Sequence, residues 1–200
     1  FYLAYQNSKW HLEDKNGEIV IARSKDASEG SWERVAAIKG PGQNDVRDPL
    51  LTEIKGQLFL YFLPNYRFDP GPNETYYCIS KDGVTWSEPE EIYVNVKHDT
   101  GIKREEGWVF GRQRPLTKDN KFWYCMASGK KGHHYMTILI SSRDGINWNE
   151  VSVVYDTYPS GEPCFEFLPD GEIICTLRVG RMSSWSGYEF GTPHAGTIIA

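Results

Sequence analysis

Ser80-Lys81-Asp82-Gly83-Val84-Thr85-Trp86 returns as Ser142-Arg143-Asp144-Gly145-Ile146-Asn147-Trp148, and a looser copy, Ser24-Lys25-Asp26 running on to Gly30-Ser31-Trp32, precedes both. Intervals of 56 and 62 residues separate Ser24, Ser80 and Ser142, the size of a four-stranded antiparallel sheet with its loops. Each copy has a mechanical reading. Ser and Asp side chains hydrogen-bond the backbone of a tight turn, Gly accepts a positive φ, and Trp buries a large ring against the sheet. The copies are therefore expected to be hairpin clasps that mark the fold, and Asp82 and Asp144 are not expected to be catalytic. Radial repetition of such sheets makes a β-propeller.

Short alternating runs on either side of these copies read as strands, and no segment carries a helical period over eleven residues or more. The expected strands are Phe1–Tyr5, Glu18–Arg23, Glu33–Ile38, Pro49–Ile54, Gln57–Phe62, Thr75–Ile79 and Glu91–Val94. They continue with Trp108–Gly111, Leu116–Thr117, Lys121–Ala127, Tyr135–Ser141, Val151–Tyr155, Cys164–Leu168 and Glu172–Val179. Turn signals fall between them at KNGE (15–18), IKGQ (54–57), KDNK (118–121) and PDGE (169–172).

A second periodicity lies in proline. VRDPLL (46–51), RQRPL (112–116) and GEPCFEF (161–167) each place Pro where a new repeat should open. Proline is tolerated at a strand's start and holds the preceding residue extended. Asp48, Arg114 and Glu162 then take equivalent positions on first strands, which in a propeller line the central axis. Charges there must be paired or meet solvent and ligand.

Composition narrows the function classes. The net charge of −5 leaves no footprint for nucleic acid or an anionic membrane. No run of about eighteen apolar residues offers a membrane span, so membrane insertion is not expected. Cys78, Cys125, Cys164 and Cys175 show neither CxxC pairing nor metal-type spacing and read as buried free thiols. No cofactor or metal is called for. Aromatic residues make up 14% of the chain, which suits half-buried strand faces and also stacking on sugar rings. The chain starts inside an apolar run, as a processed or excised piece would, and a secreted or periplasmic location is expected. The sequence does not speak to oligomeric state.

These motifs resemble the sialidase (neuraminidase) superfamily, the BNR or Asp-box propellers. SKDGVTW and SSRDGINW look like Asp boxes, RDPLL with GQLFLYF like the Arg-x-Pro opening strand, and GEPCFEFLPDGEIICTLR like the segment carrying a catalytic Glu and a substrate-binding Arg. The resemblance implies an all-β β-propeller of four-stranded antiparallel blades over residues 1–200, as a single domain or a fragment of about three to four blades. It also implies exo-acting hydrolysis of a terminal acidic sugar from glycans. Glu162 would serve as base toward a nucleophilic Tyr, Arg178 and Arg47 would hold the sugar carboxylate, and Asp69 would be the acid/base. The stretch from Arg47 to Glu162 is about one blade shorter than in the family, and the third Arg and the Tyr lie beyond the motif. Arg112 or Arg114 could supply the remaining guanidinium. Three alternatives stay open: a non-catalytic glycan-binding propeller; a five-bladed furanosidase-type hydrolase with Asp48 as stabilising carboxylate and Glu162 as acid; and a polysaccharide lyase using His194 with Tyr188.

The residues support part of this without the family. A hairpin turning at Asp170 sets Glu162 opposite Arg178, whose charge should then keep the carboxyl ionised; a turn of Asp-Gly alone slips the register by one residue and makes the pair diagonal. A guanidinium is a planar fork suited to carboxylates, although salt bridges to Asp48, Glu105 or Glu106 would serve Arg47 and Arg114 equally. Trp108, Trp123 and Trp185 are candidate stacking platforms, with core packing the expectation for Trp123. His11 and His194 are near-funnel candidates, His133-His134 reads as a hairpin tip, and Asn73-Glu74-Thr75 fits a glycosylation sequon.

Overall fold

The alternating pattern becomes eighteen short strands, with no helix among the described residues. The structure is a computed structural model that describes residues 1–10, 16–42, 45–65, 74–96, 108–131, 134–157, 160–179, 182–184, 187–188 and 196–199. Two compact units divide the chain at Ile92 and Tyr93.

The first unit holds two antiparallel sheets. One is β1 (Tyr2–Asn7), β2 (Glu18–Arg23) and β3 (Glu33–Ile38), in that order; the other is β4 (Asp45–Ile54), β5 (Gln57–Asn65), β6 (Tyr76–Ser80) and β7 (Glu90–Glu91). Central strands are buried on both faces, so β2 reads Ile19, Val20, Ile21, Ala22 without a polar break. Ile19, Ile21, Ile38, Val46, Leu60, Phe62 and Cys78 form one core between the sheets. Lys55 and Gly56, at φ 51 and 77, make the tight turn from β4 to β5.

The second unit contains β8 (Tyr93–Asn95), β9 (Trp108–Phe110), β10 (Leu116–Thr117), β11 (Trp123–Lys131), β12 (His134–Ser142) and β13 (Asn147–Tyr155) in one sheet. A second sheet is β14 (Ser160–Phe167), β15 (Ile173–Val179) and β18 (Gly196–Ile199), with β16 (Met182–Ser184) and β17 (Gly187–Tyr188) as a separate pair. Met126, Leu139, Phe165, Cys175, Leu177 and Val179 form its core. The expected strand Glu91–Val94 is in fact two: β7 closes the four-stranded sheet antiparallel to β6, whereas β8 joins β13 in parallel.

The Asp boxes are the clasps expected: the second sits between β6 and β7, the third between β12 and β13, and the first between β2 and β3 of a three-stranded sheet. In the third copy, Asp144 Oδ1 accepts the Ile146 and Asn147 N–H groups at 2.9 and 2.8 Å, and Ser142 Oγ accepts Gly145 N–H at 2.9 Å. Trp148 Nε1 donates back to the Gly145 carbonyl at 3.0 Å, with the ring fully buried and edge-on to Phe110. Truncating such a ring to Ala costs about 3–5 kcal/mol. The second copy repeats the turn, with Asp82 accepting from Val84 and Thr85 at 2.8 and 2.7 Å, but its Trp86 ring is only half-buried. The first copy departs. Ala27, at φ 61, stands where Gly83 and Gly145 stand, and two extra residues push Trp32 out to 36% exposure. The expectation that every box Trp is buried is corrected there.

The prolines do more than open strands. Arg47 faces Leu63 and Leu50 faces Tyr61, so Asp48 and Pro49 together oppose Phe62 alone. In β14, Gly161 faces Arg178 and Cys164 faces Thr176, so Glu162 and Pro163 oppose Leu177 alone. Both are β-bulges inside a strand, because Pro has no N–H to give the ladder.

Backbone hydrogen bonds from Thr85 and Val84 hold the Asp82 carboxyl down to about 2; for Asp144, burial raises the value but bonds from Asn147, Ile146 and Ser142 bring it to about 2. The unfolded value is near 4, so this stability is complete above pH ~4 and is lost as the pH falls through about 2. Asp144→Asn should flatten the acid limb of the stability curve, read as denaturant midpoint against pH between 5 and 2. An unchanged limb would mean that the box carboxylate is not held by these bonds.

Candidate functional site

Two acidic residues occupy the same unusual backbone position. Asp48 and Glu162 have φ of 55 and 51, each precedes a proline, and each is the first residue of its bulge. A residue before proline is pushed toward extended backbone, and a non-glycine side chain at such a φ costs about 1–3 kcal/mol. A glycine would serve the backbone better at both places. Both acids thus stand at positions that their own backbones disfavour.

Around Glu162 the geometry is specific. Arg112 Nη2 donates to Oε1 at 2.9 Å and Arg178 Nη1 donates to Oε2 at 3.0 Å, so each carboxylate oxygen takes one guanidinium. Burial pushes the Glu162 carboxyl up, but the bonds and charges of Arg112 and Arg178 outweigh it and hold the group below the usual carboxylate range. The side chains of Arg112, Arg178 and Glu162 are 43%, 36% and 36% exposed. Ion pairs this exposed contribute little stability, yet they present guanidinium surface to solvent with a net positive charge in the described cluster.

The register beside Glu162 differs from the one in which it faces Arg178 directly. Residues 164–167 do pair with 173–176 in the expected register, but the bulge shifts it by one, and Gly161 stands opposite Arg178. The Glu162–Arg178 contact survives because the bulged carboxylate turns toward the strand end, within reach of the long Arg side chain.

Aligning prolines also misplaced Arg114. Phe110 faces Ala127 and Leu116 faces Tyr124, so the five residues 111–115 span only Cys125 and Met126. Arg114 is therefore exposed on a wide excursion, without an ion pair among the described residues, and Arg112 is the one that meets Glu162. In the first unit, Arg47 is largely buried, with its Nε 3.7 Å from Asp48 Oδ2. Trp108 and Trp123 are 6% and 4% exposed and are core residues, not stacking platforms. Asp69, His11, His133, His194, Trp185, Asn73, Glu105 and Glu106 lie outside the described residues, as do the side chains of His134 and Tyr188. The four cysteines are free, with Cys78, Cys125 and Cys175 buried and Cys164 half-buried.

Gly111 and Gln113 escaped the sequence reading. Gln113 grips the backbone of Phe165 with both ends of its amide, at 2.6 and 2.7 Å. Nothing in a lone Gln between two arginines announces this; only its place beside the Pro115 signal could have drawn attention.

Asp-box clasps on antiparallel sheets, with no helix among the described residues, are the features of a sialidase-like all-β fold. The BNR repeat-like domain matches residues 1–189, and the chain belongs to that family. Among solved structures it is similar to the Trypanosoma rangeli sialidase in complex with the inhibitor DANA (15% identity, TM-score 0.69, 90% of this chain and 32% of that one). It is also similar to the Hadza microbial sialidase Hz136 (19% identity, TM-score 0.64, 89% of this chain and 39% of that one). A third is the alpha-L-arabinofuranosidase from Lactobacillus brevis (13% identity, TM-score 0.60, 99% of this chain and 67% of that one). No curated protein matches by sequence. The chain thus spans 32% and 39% of the length of these two sialidases, and the likeness defines the all-β fold.

With the side chain gone in both variants, Glu162→Gly should be more stable than Glu162→Ala by roughly 1 kcal/mol, because only glycine accepts this φ without strain. Equal denaturant midpoints would show that residue 162 is not held in the left-handed region.

Proposed function

We propose that the chain carries the acidic-sugar site of a glycoside hydrolase of the sialidase-like class, removing a terminal sugar from glycans. The observation that carries this reading is Glu162, held ionised between two partly exposed arginines at a strained bulge. In this reading Arg112 and Arg178 meet the sugar carboxylate, since guanidinium forks bind carboxylates with defined geometry. Glu162, already ionised, takes the proton of a nucleophile rather than donating one. Arg47 is a further substrate-binding residue and Asp69 the acid/base. The ligand is a glycan, consistent with a secreted or periplasmic location.

The shared bulge at Asp48 and Glu162 favours a second reading, furanosidase-type hydrolysis with Asp48 as stabilising carboxylate and Glu162 as general acid. The lowered Glu162 weighs against it, because a general acid needs a raised value.

Release of free sialic acid from a mixed pool of α-sialosides, compared with the Glu162→Gln variant, tests the first reading. The expected outcome is release by the parent chain and a loss of about 10²–10⁴-fold in the variant. No release by a folded sample would overturn it as a sialidase. Release of arabinose or fructose instead, lost in both Asp48→Asn and Glu162→Gln, would establish the second.

A further inference from the structure

Three consecutive residues ahead of β10 are stitched along the Glu162 bulge. Gly111 donates its N–H to the Met126 carbonyl at 2.8 Å and passes so close to Pro163 that a Cβ would stand 2.0 Å from the Pro163 carbonyl oxygen. Arg112 donates its backbone N–H to that same carbonyl at 3.2 Å. Gln113 continues the line with its side chain: Oε1 accepts the Phe165 N–H at 2.6 Å, and Nε2 donates to the Phe165 carbonyl at 2.7 Å. One planar amide thus supplies both bonds that a neighbouring strand would supply, a pairing that among side chains requires the donor and acceptor of Gln or Asn.

We propose that Gln113 is a positioning residue for Glu162: by clamping both backbone groups of Phe165 it holds the 111–113 segment against the bulge, so that Arg112 reaches the carboxylate. Among the described residues the segment forms no strand ladder with β14, and its other backbone bond to that strand is the longer one from Arg112 to Pro163. A half-exposed ion pair contributes too little to hold the segment by itself. A charge-assisted hydrogen bond weakens steeply with an ångström of displacement. Arg178 differs, because it comes from β15, which pairs with β14 directly. Gln113 therefore serves the Arg112 contact and not the Arg178 contact. Among the described residues Arg112 and Arg178 are the charged groups acting on Glu162, so loss of the clamp removes one of these two. The inference rests on the reading of Glu162 as a carboxylate that must stay ionised, but its test does not use turnover.

The experiment is a titration of the Glu162 carboxyl carbon by NMR in the whole chain, assigned by comparison with Glu162→Gln. It is run in the parent, Gln113→Met, Arg112→Gln and the double variant. Gln113→Met keeps the length and loses both polar ends. The expected result is that its Glu162 midpoint rises as far as that of Arg112→Gln, and that the double variant rises no further, the signature of one shared interaction. A parental midpoint in Gln113→Met, or shifts that add in full, would overturn the proposal. If Gln113→Met does not fold, Gln113→Asn decides. Its shorter amide cannot span both Phe165 groups at these distances, and the same rise, or its absence, carries the same two meanings. Failure of sialoside hydrolysis with a shifted midpoint would leave the positioning role standing and sink only the sialidase reading.

Discussion

Proline cannot donate to a β-ladder, and two prolines inside long strands shape this molecule around that fact. At Pro49 and Pro163 the ladder skips, one extra residue enters the strand, and the residue ahead of each proline takes a left-handed backbone. The skip frees the Pro163 carbonyl, which turns to the Arg112 N–H instead of to β15. It also swings Glu162 away from the regular alternation of faces. An acidic side chain on a regular strand would point either into the core or away from it; the bulge gives it a third direction, toward two guanidiniums. Strain in the backbone and order in the site are thus consequences of the same missing N–H.

The sheet that holds the Pro49 bulge is also closed by an Asp box, between β6 and β7. The second and third Asp boxes spend no core volume on their polar groups: Asp82 and Asp144 each satisfy two backbone N–H groups in a turn, and Trp86 and Trp148 each return one bond. Because the turn is closed by side chains, the hairpin between third and fourth strands is fixed independently of what the inner strand does. The first copy shows the tolerance of the device, with Ala27 accepting the conformation that Gly83 and Gly145 adopt more easily. Local strain is offset by packing elsewhere, not removed.

Much of this could be read from the chain. The boxes were legible because a turn clasp needs particular side chains at fixed offsets, and fixed offsets survive in sequence. Glu18–Arg23 and Glu33–Ile38 were legible to the residue because they are short, β-branched and bounded by turns. Glu162 and Arg178 were brought together for a nearly correct reason, since the hairpin register holds up to the bulge. The bulge itself was missed because Pro can signal a strand's start or an interruption within it, and sequence alone does not choose. The same ambiguity set Arg114 where Arg112 belongs: Pro115 ends a five-residue excursion, whereas Pro49 and Pro163 each belong to a bulge with a single inserted residue. Gln113 was invisible, since its partner is backbone 52 residues away and carries no side-chain signal.

The central claim is that Arg112 and Arg178, ordered on Glu162, receive a carboxylate. The most direct measurement follows the Nε–Hε resonances of these two arginines by NMR while N-acetylneuraminic acid is added, and then while its methyl ester is added. A saturable shift of both resonances with the acid, absent with the ester, is the predicted result. Shifts of equal size with the ester, or no response at either arginine, would contradict carboxylate recognition at this site.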